Sequence, residues 1–95
     1  MRRRAKVDQN QSQIVSELRS LGMSVLHTHT LGQGAPDLVV GYRGRNLLVE
    51  LKDPDKPPSA RKLTPDEESF HASWTGSILT ATTSEEILNY FAQNC

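Results

Sequence analysis

Three residues combine the types and the spacing that phosphate chemistry requires: Asp37, preceded by Pro36, and the pair Glu50 and Lys52. Asp37 opens one apolar run, Leu38-Val39-Val40-Gly41-Tyr42. Glu50 and Lys52 close the next, which begins Leu47-Leu48-Val49. Side chains alternate along a strand, so Glu50 and Lys52 fall on one face. In a hairpin turning at residues 43–46, positions 37 and 52 meet at the open end. Two carboxylates brought that close repel unless a cation lies between them, and hard oxygen ligands suit Mg²⁺ or Mn²⁺. Such an ion could activate water and polarise a phosphodiester oxygen. Lys52 could orient that water, stabilise charge developing at phosphorus, or act as base with a lowered pKa. The spacing leaves a structural alternative open, in which Asp37 caps a turn and Glu50–Lys52 is a surface ion pair.

The elements that must position these residues can be read from periodicity and punctuation. Asp8 and Gln11 have capping-box spacing, and Ile14, Val15, Leu18 and Leu21 recur at helical spacing before Gly22, which predicts a helix over 9–21. Met23 to Leu26 reads as a short strand, and the polar segment to Ala35 as a loop in which Gly32 and Gly34 allow tight turning. The two apolar runs are strands joined by a turn at Arg43-Gly44-Arg45-Asn46. Pro54, Pro57 and Pro58 mark a loop. Thr64-Pro65-Asp66-Glu67 has the form of a capping box, opening a second helix with Phe70 and Trp74 as its apolar edge. Ser77 to Ala81 is a fourth strand, and Thr83 or Ser84 caps a last helix carrying Ile87, Leu88 and Phe91. Helix, three strands, helix, strand, helix predicts an α/β fold with a mixed central sheet flanked by helices.

A chain of 95 residues has room for one hydrophobic core. It divides into a basic arm, residues 1–7, and one domain, residues 8–95. No apolar run approaches the ~20 residues that span a bilayer, so no membrane partner is expected. No signal-length apolar stretch follows the basic start, so a cytoplasmic location is expected. Cys95 is the only cysteine, which excludes an internal disulfide and a cysteine-based zinc site. Net charge is zero but unevenly spread. Residues 1–62 hold all eleven Lys and Arg against six acids, while residues 63–95 hold five acids and neither Lys nor Arg. A basic face that could follow phosphates is one reading, and an accidental split of surface charge is the other.

Four segments carry a family resemblance: Val7-Asp8-Gln9-Asn10-Gln11, Gly34-Ala35-Pro36-Asp37-Leu38-Val39-Val40-Gly41, Leu48-Val49-Glu50-Leu51-Lys52 and Leu63-Thr64-Pro65-Asp66-Glu67. Together they resemble stand-alone viral members of the virus-type replication–repair nuclease (VRR-NUC) domain, over about residues 7–90. The resemblance implies a restriction-endonuclease-like PD-(D/E)xK core, a divalent metal and phosphodiester hydrolysis in DNA. It implies Asp37, Glu50 and the carbonyl of Leu51 as metal ligands, with Lys52 as the motif lysine. Where many such nucleases place a Glu in the first helix, this chain has Gln11, which could position water or phosphate rather than metal. Viral relatives of this kind resemble Holliday-junction resolvases, so the resemblance further implies branched DNA, a homodimer with two active sites, and the cytoplasm of a host cell. A catalytically silent DNA-binding module and a flap- or end-directed nuclease are the competing readings.

Candidate phosphate contacts are Arg2, Arg3, Arg4 and Lys6 in the arm, Arg43 and Arg45 at the hairpin turn, and Lys56, Arg61 and Lys62 after the motif. None offers base-specific readout, so shape rather than sequence is the expected basis of recognition. His27 and His29 alternate at a strand end but have no third ligand at suitable spacing, so a surface or DNA-facing role is expected. His71 is expected to pack half-buried, and Trp74 to belong to the core.

Overall fold

The computed structural model describes residues 10–93. Asp8 and the basic arm lie outside them. Helix α1 (Gln11–Ser20) buries Ile14, Val15 and Leu18 on one side, and Gly22 closes it at a positive φ of 90°. The helix begins later than its periodicity suggests. Asn10 is its N-cap and makes no side-chain cap. Gln11, expected as the distal half of a capping box, is instead the first helical residue and points inward, 2% exposed.

Strand β1 (Ser24–His27) is followed by a 3-10 turn at His29–Leu31, then by β2 (Leu38–Tyr42) and β3 (Arg45–Leu51). The β2–β3 turn is two residues rather than four. Arg43 and Gly44 both have positive φ, 53° and 78°, and Tyr42 pairs directly with Arg45. This is the mirror-image turn whose twist matches that of the flanking strands. After a second 3-10 turn, Pro58–Ala60, helix α2 (Pro65–Ser73) starts on the expected capping box. Thr64 Oγ1 accepts from the Glu67 amide, and the Glu67 carboxylate accepts from the Thr64 amide. Strand β4 (Ile78–Ala81) and helix α3 (Ser84–Gln93) complete the domain, and Thr83 Oγ1 caps the Glu86 amide.

The sheet order is β1-β2-β3-β4, antiparallel except for the parallel β3–β4 pair that α2 bridges. It is therefore the expected four-stranded mixed α/β sheet with helices against it. Alternation assigns the two faces. Leu38, Val40, Leu47, Val49, Leu51 and Ala81 turn to one side, where α1 and α3 supply Ile14, Val15, Leu18, Ile87 and Phe91. On the opposite side Leu26, Val39, Leu48 and Ile78 are successive register partners across all four strands. Leu26 at that edge is 62% exposed.

Helix α2 contributes no buried residue to this core. Trp74 is not a core residue as expected; it is 43% exposed and stacks on Phe70 with centroids 5.3 Å apart. What seats α2 is Gly34, whose φ of 82° lets the loop before β2 lie directly on the helix's first turn. A Cβ at Gly34 would overlap the Asp66 carbonyl. Gly34→Ala is therefore expected to destabilise by about 2–4 kcal/mol, combining left-handed strain with steric overlap. Gly44→Ala also has a positive φ but meets no neighbour, so about 1 kcal/mol is expected there. Urea unfolding of the two variants checks the difference, and equal losses would contradict the proposed seat for α2.

Candidate active site

The open end of the β2–β3 hairpin brings Asp37, Glu50 and Lys52 together. Leu38 pairs with Val49, so one step further along the ladder Asp37 stands opposite Glu50 on the face away from α1 and α3. Asp37 Oδ2 accepts a 2.7 Å hydrogen bond from the Leu51 amide, which orients the carboxylate toward β3. Leu51, expected to offer its carbonyl to a metal, thus gives its N–H to Asp37. The Asp37 carbonyl accepts from the Thr28 amide, 2.8 Å, and fixes the loop from β1. Lys52 donates its backbone N–H to Ala81, 2.9 Å, while Asn10 Nδ2 lies 3.4 Å from the Lys52 carbonyl and 3.3 Å from that of Thr82. The start of α1 is in this way tied to the site.

Glu50 is 4% exposed, which excludes the reading of a surface ion pair. Its Oε2 lies 3.5 Å from Lys52 Nζ, and its Oε1 is buried without a hydrogen-bond partner. Burial pushes the Glu50 carboxyl up to about 9, aided by the neighbouring Asp37 and Glu67 carboxylates and only partly offset by Lys52.

Glu67 was not among the expected site residues. Its Oε1 lies 3.0 Å from Lys52 Nζ, a shorter contact than Lys52 makes with Glu50. Burial works against its charge, but the Thr64 amide and Lys52 outweigh burial and hold it below the usual carboxylate range. Burial likewise depresses Lys52, yet the hydrogen bond to Glu67 and the charges of Glu67 and Glu50 leave it above the ordinary lysine value. In the metal-free protein this arrangement favours the ammonium form of Lys52, not the lowered pKa that a basic role would need. Glu67 escaped sequence reading because its capping-box position already explained it. The crossover between parallel strands was the only hint that α2 returns beside β3.

Gln11 is buried next to β1, its Nε2 3.2 Å from His27 Nδ1, and its Oε1 has no partner. His27 is exposed and meets His29 edge-to-face, centroids 6.0 Å apart, as a polar rim rather than a metal set. The suggested phosphate contacts separate into groups. Lys56, Arg61 and Lys62 lie in the segment joining Lys52 to α2, at the end of the sheet that holds the site. Arg43 and Arg45 lie at the other end of the hairpin, about 17 Å of strand away. Arg45 pairs with Tyr42, so it shares the face of Leu47 and Val49, opposite that of Glu50. Arg2, Arg3, Arg4 and Lys6 lie outside the described residues.

Among the described residues no three His, Cys, Asp or Glu side chains form a metal-ligating group. A hard cation with water and phosphate in its shell needs only one or two protein carboxylates. Asp37 and Glu50 fit that requirement. A buried, unpartnered carboxylate oxygen beside a second carboxylate is what a divalent ion would satisfy. Compared with family models, curated proteins and solved structures, the chain matches none of them. Among the described residues no helix is long and apolar enough to cross a membrane.

The Glu50 shift has a definite sign. Between about pH 4.5 and about pH 9 the folded, metal-free protein keeps a proton that the unfolded chain releases, so its stability falls as pH rises through that window. Glu67, shifted the other way, contributes stability above its unfolded value that is lost only on further acidification. Urea midpoints in EDTA should therefore fall from about pH 5 to about pH 9, and Glu50→Gln should flatten the decline. A parent curve as flat as that of the variant would contradict the buried, protonated Glu50.

Proposed function

We propose that this chain is a divalent-metal-dependent nuclease of the PD-(D/E)xK kind, similar to the stand-alone viral VRR-NUC domains and acting on DNA. The observation that carries the reading is the pairing of Asp37 with a buried Glu50 whose Oε1 lacks a partner, next to an ammonium held at 3.0 Å by Glu67. Asp37 and Glu50 would hold Mg²⁺ or Mn²⁺, with the Leu51 carbonyl as a further oxygen. The ion would supply Lewis acidity and an activated water. Lys52, charged across the neutral range, stabilises the negative charge that develops on the phosphoryl oxygens. Glu67 keeps that ammonium on the Glu50 side of the site. Gln11, buried and with one amide oxygen unpartnered, positions water or phosphate on the α1 side.

Branched DNA and a homodimer, with one Asp37/Glu50/Lys52 set in each subunit, complete the proposal. Two helices carry aromatic residues that could pair subunits, α2 with Phe70 and Trp74 and α3 with Tyr90 and Phe91; α3 is the poorer, because Phe91 is buried in the core and Tyr90 packs against it. The stack of half-buried Phe70 on exposed Trp74 is the better one.

Labelled junction, flap, duplex and single-stranded DNA incubated with Mg²⁺, Mn²⁺ or EDTA test the activity directly. Lys52→Ala should lower cleavage at saturating metal by about two to four orders of magnitude while DNA binding changes little, since its charge serves the transition state. Glu67→Gln retains the helix cap and should lower kcat roughly tenfold with KM nearly unchanged. Calorimetric titration with Mn²⁺ should give weaker binding for Asp37→Asn and Glu50→Gln. Unchanged affinity in both variants would remove the proposed ligands.

A further inference from the structure

The two arginines at the hairpin turn are not accounted for by the site above. Arg43 occupies a left-handed position, φ 53°, in a turn type that Asn, Asp or Gly enters with less strain. A bulky residue kept in such a conformation directs attention to what its side chain does. The Arg43 guanidinium lies 5.1 Å over the Tyr42 ring, and Tyr42 in turn meets Phe91 edge-on, centroids 5.6 Å apart. Tyr42, Arg43, Arg45 and Phe91 line a cleft of about 250 Å³. Both arginines are exposed, and neither takes part in a salt bridge among the described residues. Two uncompensated planar cations beside an aromatic wall suit a phosphate together with a flat ring. Guanidinium groups bind phosphate edge-on and stack bases face-on. The volume is of the size of one base and too small to enclose a duplex.

We infer that this cleft is a second nucleic-acid site, one that takes a phosphodiester and its unpaired base on the face of the sheet opposite Glu50. The inference rests on the proposed function only for the choice of DNA. It deepens that reading: a chain that cuts on one face and holds an unpaired nucleotide on the other, about 17 Å away along the hairpin, favours DNA in which duplex and single strand meet.

The test measures binding in EDTA, where no cleavage is needed. A labelled, 5′-phosphorylated single-stranded oligothymidylate of about ten residues is titrated at several salt concentrations against the parent and an Arg43→Asn/Arg45→Thr variant. Asn followed by Gly44 is a preferred pair for this turn, and Thr suits a strand, so the variant keeps the fold. We expect about tenfold weaker binding and a log K versus log salt slope smaller by roughly 0.7, the value for one phosphate on a single strand. In the parent, the Gly44 and Asn46 amide NMR signals should move on binding, and inorganic phosphate alone should not reproduce the shifts. A parent that binds through these residues yet cleaves no DNA upholds the cleft and removes the nuclease reading. Several results would overturn the inference. These are no oligonucleotide binding by the parent, unchanged affinity and slope in the variant, equal binding of a blunt duplex through the same amides, and equal displacement by polyglutamate. A variant that only melts earlier, with binding intact, would likewise overturn the inference and leave the arginines a purely structural role.

Discussion

A carboxylate kept out of water at the end of a hydrophobic strand is the constraint on which the rest of this structure depends. Leu47, Val49 and Leu51 are drawn into the core, each contributing about 1.5–3 kcal/mol by burial. Alternation then carries Glu50 to the opposite face. That face is half-covered, so Glu50 sits in a pocket of low polarizability and not in solvent. Burying a charge in such a place costs several kcal/mol unless it is paired. The metal-free protein meets this cost by keeping Glu50 protonated and by setting Lys52 against it.

Helix α2 follows from the same constraint. It buries nothing in the main core, so hydrophobic packing alone does not place it. Its position comes from Gly34, which lets the loop before β2 touch its first turn, and from Glu67, which reaches Lys52. One glutamate therefore performs two tasks. It closes the capping box of α2, and it holds the ammonium beside the two strand carboxylates. The loop that rests on α2 leads directly into Asp37, so the strand acids and the helix acid are connected through a single glycine. The helix with no residue buried in the core is thus the one that lies against the candidate site.

The hairpin separates two kinds of surface. At its open end acids and one lysine converge on one face. At its turn two arginines and two aromatic rings gather on the other face. Charge in this domain is therefore patterned along and across a single pair of strands. The division of the sequence into a basic and an acidic part conveys only some of that, because Glu67 of α2 returns to Lys52 in the basic half.

Most of the fold was legible in the residues alone. The strand runs 38–42 and 47–51, the Thr64–Glu67 capping box and the helix–strand order are set by local periodicity and capping chemistry, which act over a few residues. The convergence of Asp37, Glu50 and Lys52 was legible in outline, because both motifs fall at the open end of one hairpin, but the two-residue turn sets Asp37 opposite Glu50 and not Lys52. Three features required the tertiary structure, since each depends on contacts between segments distant in sequence. Gln11 reads as a cap but is turned inward, because the first helix begins at Gln11 itself, with Asn10 as its N-cap, and packs against β1. Trp74 reads as core but lies exposed, because the crossover helix buries no residue against the sheet. Glu67 reads as a capping residue and becomes a partner of Lys52, because the parallel crossover returns the start of α2 to the strand that the lysine closes.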